Sequence, residues 1–169
     1  MLTKTLTVLA LGLALNGVLP NGAAVAQEVI RHRTPGSNFP IAAAVEVPAG
    51  KTIVYLSGMV PRVTNEQAAR NSIASFGDTK AQTVSVLQTI EQALQRVNLS
   101  MKDVVKMQVF LVADPAKENR MDFAGFMEGY TQFFGTAEQP NLPSRSVMAV
   151  AGLVNAGWLV EIEVTAVRP

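Results

Sequence analysis

The stretch that most restricts this chain lies near its carboxyl end. Trp158, Val160, Ile162, Val164 and Ala166 are apolar, and the residues between them include Glu161, Glu163 and Thr165. A period of two places successive side chains on opposite faces of a strand, so one face must rest on an apolar layer while the other stays polar. The sheet is therefore covered on one side. Val104 to Val112 alternates in the same way around Lys106 and Gln108 and stops at Asp114-Pro115. Thr52 to Gly58 follows the turn signal Pro48-Ala49-Gly50, and its β-branched and aromatic content predicts a buried strand. Ser144 to Ala151 is a further strand, joined to the last (Trp158 to Val167) through Gly152 to Gly157, and the two are expected to form an antiparallel hairpin.

Two helices supply the covering layer. Thr79 and Gln82 have capping-box spacing, and Thr83, Leu87, Ile90, Leu94 and Val97 then form one stripe, with Gln88, Gln92 and Arg96 turned to solvent. Phe123, Phe126, Met127, Tyr130, Phe133 and Phe134 repeat at helical spacing behind a cap from Asn119 or Asp122. An aromatic stripe of this kind reads as core. The expected fold class is α/β in the α+β sense: a mixed β-sheet with two helices packed on one face.

The amino end reads differently. Lys4, the apolar run Leu6 to Leu15 and the small residues Ala24-Val25-Ala26 have the form of a cleavable secretory signal, cut after Ala26, which implies a periplasmic or secreted protein. Residues 27–40 hold Arg31, His32, Arg33, Pro35, Gly36 and Asn38 without an apolar period, so a loose arm is expected there and one domain over 41–169. The near balance of 14 basic and 13 acidic side chains leaves no electrostatic footprint for nucleic acid or, once the signal is removed, for a membrane. The absence of cysteine excludes thiolate catalysis, zinc-thiolate sites and iron–sulfur clusters, and the lone His32 makes a poor metal site. No metal is expected. Small molecules and copies of the chain itself are the partners left.

Four positions invite chemistry but permit plainer readings. Glu161 and Glu163 can simply face water. Arg145, after Pro143 at the entry to its strand, can reach solvent or grip a carboxylate in two places. Gly58 can end a strand or let a ligand approach the backbone.

The chain resembles the RidA/YjgF family through a series of landmarks in family order. They are Ser57-Gly58-Met59-Val60-Pro61, the Gly77-Asp78-(x)3-Gln82-Thr83 helix start, Asp103-Val104-Val105-Lys106-(x)3-Phe110-Leu111, Tyr130-(x)2-Phe133-Phe134, Pro143-Ser144-Arg145-Ser146 and Val160-Glu161-Ile162-Glu163. The resemblance implies a chorismate-mutase-like subunit, a homotrimer with sites in the clefts between subunits, and no cofactor. It also implies hydrolysis of reactive enamines and imines, of the 2-aminoacrylate type, to 2-keto acids and ammonia. Arg145 matches the family arginine that binds the substrate carboxylate, and Glu161 the glutamate associated with the attacking water. Gly58 matches a position whose backbone approaches the ligand, and Val147 one whose carbonyl helps to hold the water. Ile41 stands where the family has a tyrosine and Met127 where many members have asparagine, and one extra residue separates Phe134 from Arg145. The binding-site set is thus Arg145, Gly58, Val147, Ile41 and Met127, with Arg145 and Glu161 as the catalytic pair.

Two function classes follow. One is an imine deaminase acting on an imino acid and releasing a keto acid; the other is a non-catalytic periplasmic trimer that binds a carboxylate ligand or acts as a chaperone. The expected hairpin would pair Arg145 with a residue near 165. That leaves it roughly 13 Å from Glu161 along the strands, which favours a site shared between subunits.

Overall fold

The computed structural model describes residues 28–169. The expected signal, residues 1–26 with its cut after Ala26, lies outside the described residues. In chain order the elements are β1 (Ile30–His32), β2 (Ala44–Glu46), β3 (Ile53–Met59), α1 (Thr79–Arg96), β4 (Val104–Asp114), β5 (Arg120–Met121), α2 (Phe123–Tyr130), β6 (Ser144–Val150) and β7 (Val160–Val167). β3, β7, β4 and β6 lie side by side in one mixed, mostly antiparallel sheet, with β5 pairing the end of β4.

The expected hairpin is corrected by this order. β6 and β7 are not neighbours: β4 lies between them, parallel to β6 (Met107 beside Arg145) and antiparallel to β7 (Phe110 beside Glu161). The physical reason is burial. Met107, Val109 and Leu111 of β4 are fully buried, and a β6–β7 hairpin would push this longest strand to an edge. The linker after β6 is longer than the usual hairpin loop and can cross one strand, while α2 makes the crossover that a parallel pair requires.

Both helices pack on one face. Leu87, Ile90 and Leu94 of α1 and Phe126 and Tyr130 of α2 bury themselves in one core with Met107, Val109, Ile162 and Val164. The even positions of the last strand thus face the helices, as the alternation requires. Val97, counted in the α1 stripe, instead sits partly exposed at the helix end. The α1 cap also differs from expectation: the Asp78 carboxylate accepts from Ala81 N at 2.8 Å, so Thr79 is the first helical residue and no Thr79–Gln82 box forms. Gln82 is thereby free for another task. Fully buried, it donates to Gly77 O (2.8 Å) and Gly157 O (2.9 Å) and accepts from Leu159 N (2.7 Å), tying α1 to the approach of β7. For α2 the cap is Asp122, which accepts from Gly125 N at 2.9 Å.

Among the described residues, no helix covers the opposite face. It presents Tyr55, 76% exposed, with Lys106, Gln108, Glu161, Glu163 and Thr165 beside it, so β3 is an edge strand covered on one side and not the buried strand its composition suggested. The segment expected to be loose is partly ordered by pairing. β1 bonds to β2, and the Arg31 guanidinium donates to Val104 O, Leu142 O and Lys102 O at 2.9–3.0 Å. One well-placed side chain, satisfying three carbonyls at once, anchors a stretch with no apolar period. Further along, Ala42 N donates to Pro143 O at 2.9 Å, and Ala42 bridges to Ser144, which lays Phe39 to Ala42 beside the start of β6.

Candidate functional site

Arg145 enters the covered side of the sheet. Its strand partner is Met107 of the core, so its side chain points toward α2. The guanidinium carbon lies 4.1 Å from the ring centre of Tyr130, 4.9 Å from that of Phe126 and 5.5 Å from that of Phe39. Nη2 donates to Met127 Sδ at 3.2 Å, whereas Nη1 is buried without a partner among the described residues. No carboxylate of the described residues pairs with this cation. Burial lowers the pKa of Arg145, with Tyr130 opposing, and pushes the Tyr130 phenol up to about 12, with Arg145 opposing. The Tyr130 hydroxyl donates to Pro40 O at 2.9 Å, which fixes the ring under the guanidinium.

Such an environment favours an anionic ligand. Aromatic faces and a thioether stabilise a guanidinium, but they offset its lost hydration less completely than a carboxylate, which accepts two parallel charge-assisted bonds. A buried donor without an acceptor costs about 1–3 kcal/mol, and that cost disappears when an acceptor arrives.

Glu161 occupies the other side. It lies beside Phe110 on the open face and is half-buried. Its carboxylate is seated over Gly58, where an added Cβ would fall 2.8 Å from Glu161 Cδ and closer still to one of its oxygens. A bulge between Leu56 and Met59 brings this glycine to that position, so the lack of a side chain at Gly58 lets the Glu161 carboxylate of the same chain lie directly over its backbone.

The sequence-derived site residues thus fall into two groups. Arg145, Met127 and the Phe39–Ala42 segment carrying Ile41 come together on the covered side, with Val147 following Arg145 along the same face of β6 beside Val109. Gly58 and Glu161 come together on the open side. A one-layer sheet separates the two groups, which replaces the expected in-strand separation with a stronger one. Sequence reasoning missed the cage. Phe126 and Tyr130 read as core, which they also are, and Phe39 lay in the segment expected to be loose; the only signal available was the absence of any acidic residue near Arg145 in the chain.

Two helices on one face of a β3-β7-β4-β6 sheet, with an arginine at the head of β6, define a YjgF-like α+β subunit. The Endoribonuclease L-PSP family matches residues 40–168, and the chain belongs to that family, the RidA/YjgF group. It is 32% identical over 127 residues to the 3-aminoacrylate deaminase RutC of Acinetobacter baylyi, covering 75% of this chain and 88% of that one. It is 35% identical over 116 residues to the protein HMF1 of Saccharomyces cerevisiae, covering 68% and 78%. Among solved structures, the Rid-family protein YyfB of Yersinia pestis, at 24% identity, has a TM-score of 0.62 over 83% of this chain and 98% of that one. A yeast protein, YEO7, at 30% identity, has a TM-score of 0.53 over 85% and 98%.

Proposed function

We propose that the protein hydrolyses reactive enamine and imine intermediates of the 2-aminoacrylate type to 2-keto acids and ammonia. The observation that carries this reading is Arg145: a cation caged by aromatic rings, with a buried, unpartnered Nη1. The likeness to a relative named 3-aminoacrylate deaminase supports the same class. A substrate carboxylate would take Nη1 and Nη2 in a bidentate pair, releasing Met127 Sδ. An enamine first tautomerises to its imine. Water then adds to the C=N carbon while Glu161 accepts its proton and passes it to the imine nitrogen; the resulting carbinolamine loses its hydroxyl proton, relayed through the same carboxylate to nitrogen, and expels ammonia as the C=O bond forms. The Val147 carbonyl is a further acceptor for that water.

Because Arg145 and Glu161 lie on opposite faces of one sheet, a single subunit does not supply both to one small substrate. The reading therefore includes a homotrimer in which Arg145 of one copy faces Glu161 of the next across a cleft, and light scattering that finds a stable monomer at micromolar concentration would count against it. It also includes export, with the mature chain beginning at Gln27; amino-terminal sequencing that finds Met1 on a cytosolic product would sink that part. Arg145 by itself favours a second reading, a non-catalytic carboxylate-binding trimer, since binding at the cage does not need Glu161.

The test follows imine decay and keto-acid release with wild type, Arg145→Lys, Arg145→Ala and Glu161→Gln, and measures 2-keto-acid affinity by calorimetry. Arg145→Lys keeps charge without the planar grip and should lose at least about tenfold in rate, and Arg145→Ala more. Glu161→Gln should slow hydrolysis while sparing binding. Wild type that binds keto acids through Arg145 without hydrolysing imines selects the second reading.

A further inference from the structure

We infer that Met127, with Phe39, makes this site selective for monocarboxylic 2-imino and 2-keto acids with apolar side chains; the inference rests on Arg145 being the carboxylate anchor. Met127 Sδ is 3.2 Å from Arg145 Nη2, the nitrogen a carboxylate would claim. A ligand held there places its third and fourth carbons within a few ångströms of the anchor, against the same neighbours. Those neighbours are the Met127 thioether, the Phe39 ring, which is 44% exposed, and the rings of Phe126 and Tyr130. The Tyr130 hydroxyl is already spent on Pro40 O. Among the described residues, the side chains shown against the guanidinium thus include no free amide or hydroxyl that could satisfy a polar ligand substituent.

The type of contact matters as much as its polarity. A thioether is a weak acceptor that gives up Nη2 at small cost, and an unbranched, polarizable side chain can refill the space around substituents of different size. A second carboxylate on the ligand would have to be buried against these rings without a partner, a large penalty. An isobutyl or benzyl group would instead displace water from them. Apolar pockets distinguish substrates differing by one methylene by roughly 10–200-fold, which sets the scale of the effect.

The experiment compares 2-imino acids generated from leucine and from alanine by an amino-acid oxidase, using wild type, Met127→Asn and Met127→Leu. In parallel, calorimetry compares 4-methyl-2-oxopentanoate with 2-oxoglutarate. Wild type is expected to prefer the leucine-derived imine by at least about tenfold in kcat/KM, and the monocarboxylate by a similar factor in Kd. Met127→Asn should reduce both ratios to about threefold or less, and Met127→Leu should keep them. Thermal melts confirm that the variants fold. If no imine is hydrolysed while the keto-acid ratio behaves as stated, the deaminase reading fails and this inference stands. If the ratios are unchanged in Met127→Asn, if wild type favours the alanine-derived or dicarboxylic ligand, or if no keto acid binds, the inference is overturned.

Discussion

The two faces of the sheet solve opposite problems. On the covered face, Met107, Val109, Ile162 and Val164 pack dry against the helices, and Arg145 is placed among aromatic rings with a thioether as its hydrogen-bond acceptor. On the open face, Glu161, Glu163, Lys106, Gln108 and Thr165 share a polar surface, and Glu161 is accommodated by the lack of a side chain at Gly58. The covered face concentrates an unmet demand for an anion, while the open face offers a carboxylate whose position is set by shape. A site made of both needs the sheet to be approached from two sides.

The covered face is most exposed to failure at Gln82. Gln82→Leu fills the space but leaves Gly77 O, Gly157 O and Leu159 N without their partner, and should destabilise the fold by roughly 3–5 kcal/mol in urea unfolding. A loss below about 1 kcal/mol would mean that packing alone ties α1 to β7.

Arg145→Met separates function from stability. Keto-acid affinity should fall at least about a hundredfold, which corresponds to roughly 2.7 kcal/mol. Folding stability should rise by about 1 kcal/mol, because a caged cation without a counter-ion is replaced by an apolar side chain. A destabilised variant would show that the rings hold the guanidinium more favourably than water does.

Tyr130 beneath that cation gives the same face a pH signature. Its folded pKa is raised to about 12, above the value near 10 of an unfolded tyrosine, so its contribution is fully present below about pH 10 and lost as pH rises to about 12. The difference in stability between wild type and Tyr130→Phe should therefore be flat to about pH 10, then shrink by up to roughly 2–3 kcal/mol. A difference independent of pH across that window would contradict the burial of the phenol.

The smallest effect belongs to the open face. Gly58→Ala forces the Glu161 side chain aside and should cost about 1 kcal/mol, a cost that Glu161→Ala in the same chain removes. Additive losses in that double-mutant cycle would uncouple the two positions.

Much of this was legible in the residues. Alternation located β4 and β7, because periodicity is a local property that burial on one side imposes, and the spacing from Phe123 to Tyr130 located α2, although Phe133 and Phe134, read as part of the same helix, lie beyond its end. Arg145, Glu161, Gly58 and Met127 were all singled out from sequence, and the fold brings Arg145 to Met127 and Glu161 to Gly58. The cap of α1 was misread by one residue because Asp78 and Thr79 are both good caps, and only the freeing of Gln82 to reach Gly157 decides between them. The pairing of β1 was hidden because Arg31 acts through carbonyls distant in the chain.

The sequence by itself determined which side of β4 and β7 is apolar, where the helices run and which residues are candidates for chemistry, since these depend on neighbours within a few positions. Only the tertiary structure decided that β4 lies between β6 and β7, that Phe39 joins Phe126 and Tyr130 around Arg145, and that Arg145 and Glu161 are on opposite faces. The reason is physical. Strand order is settled by which strand gains most from burial on both edges, and the direction of Arg145 by its register against Met107; both are contacts across the fold, and no local pattern encodes them.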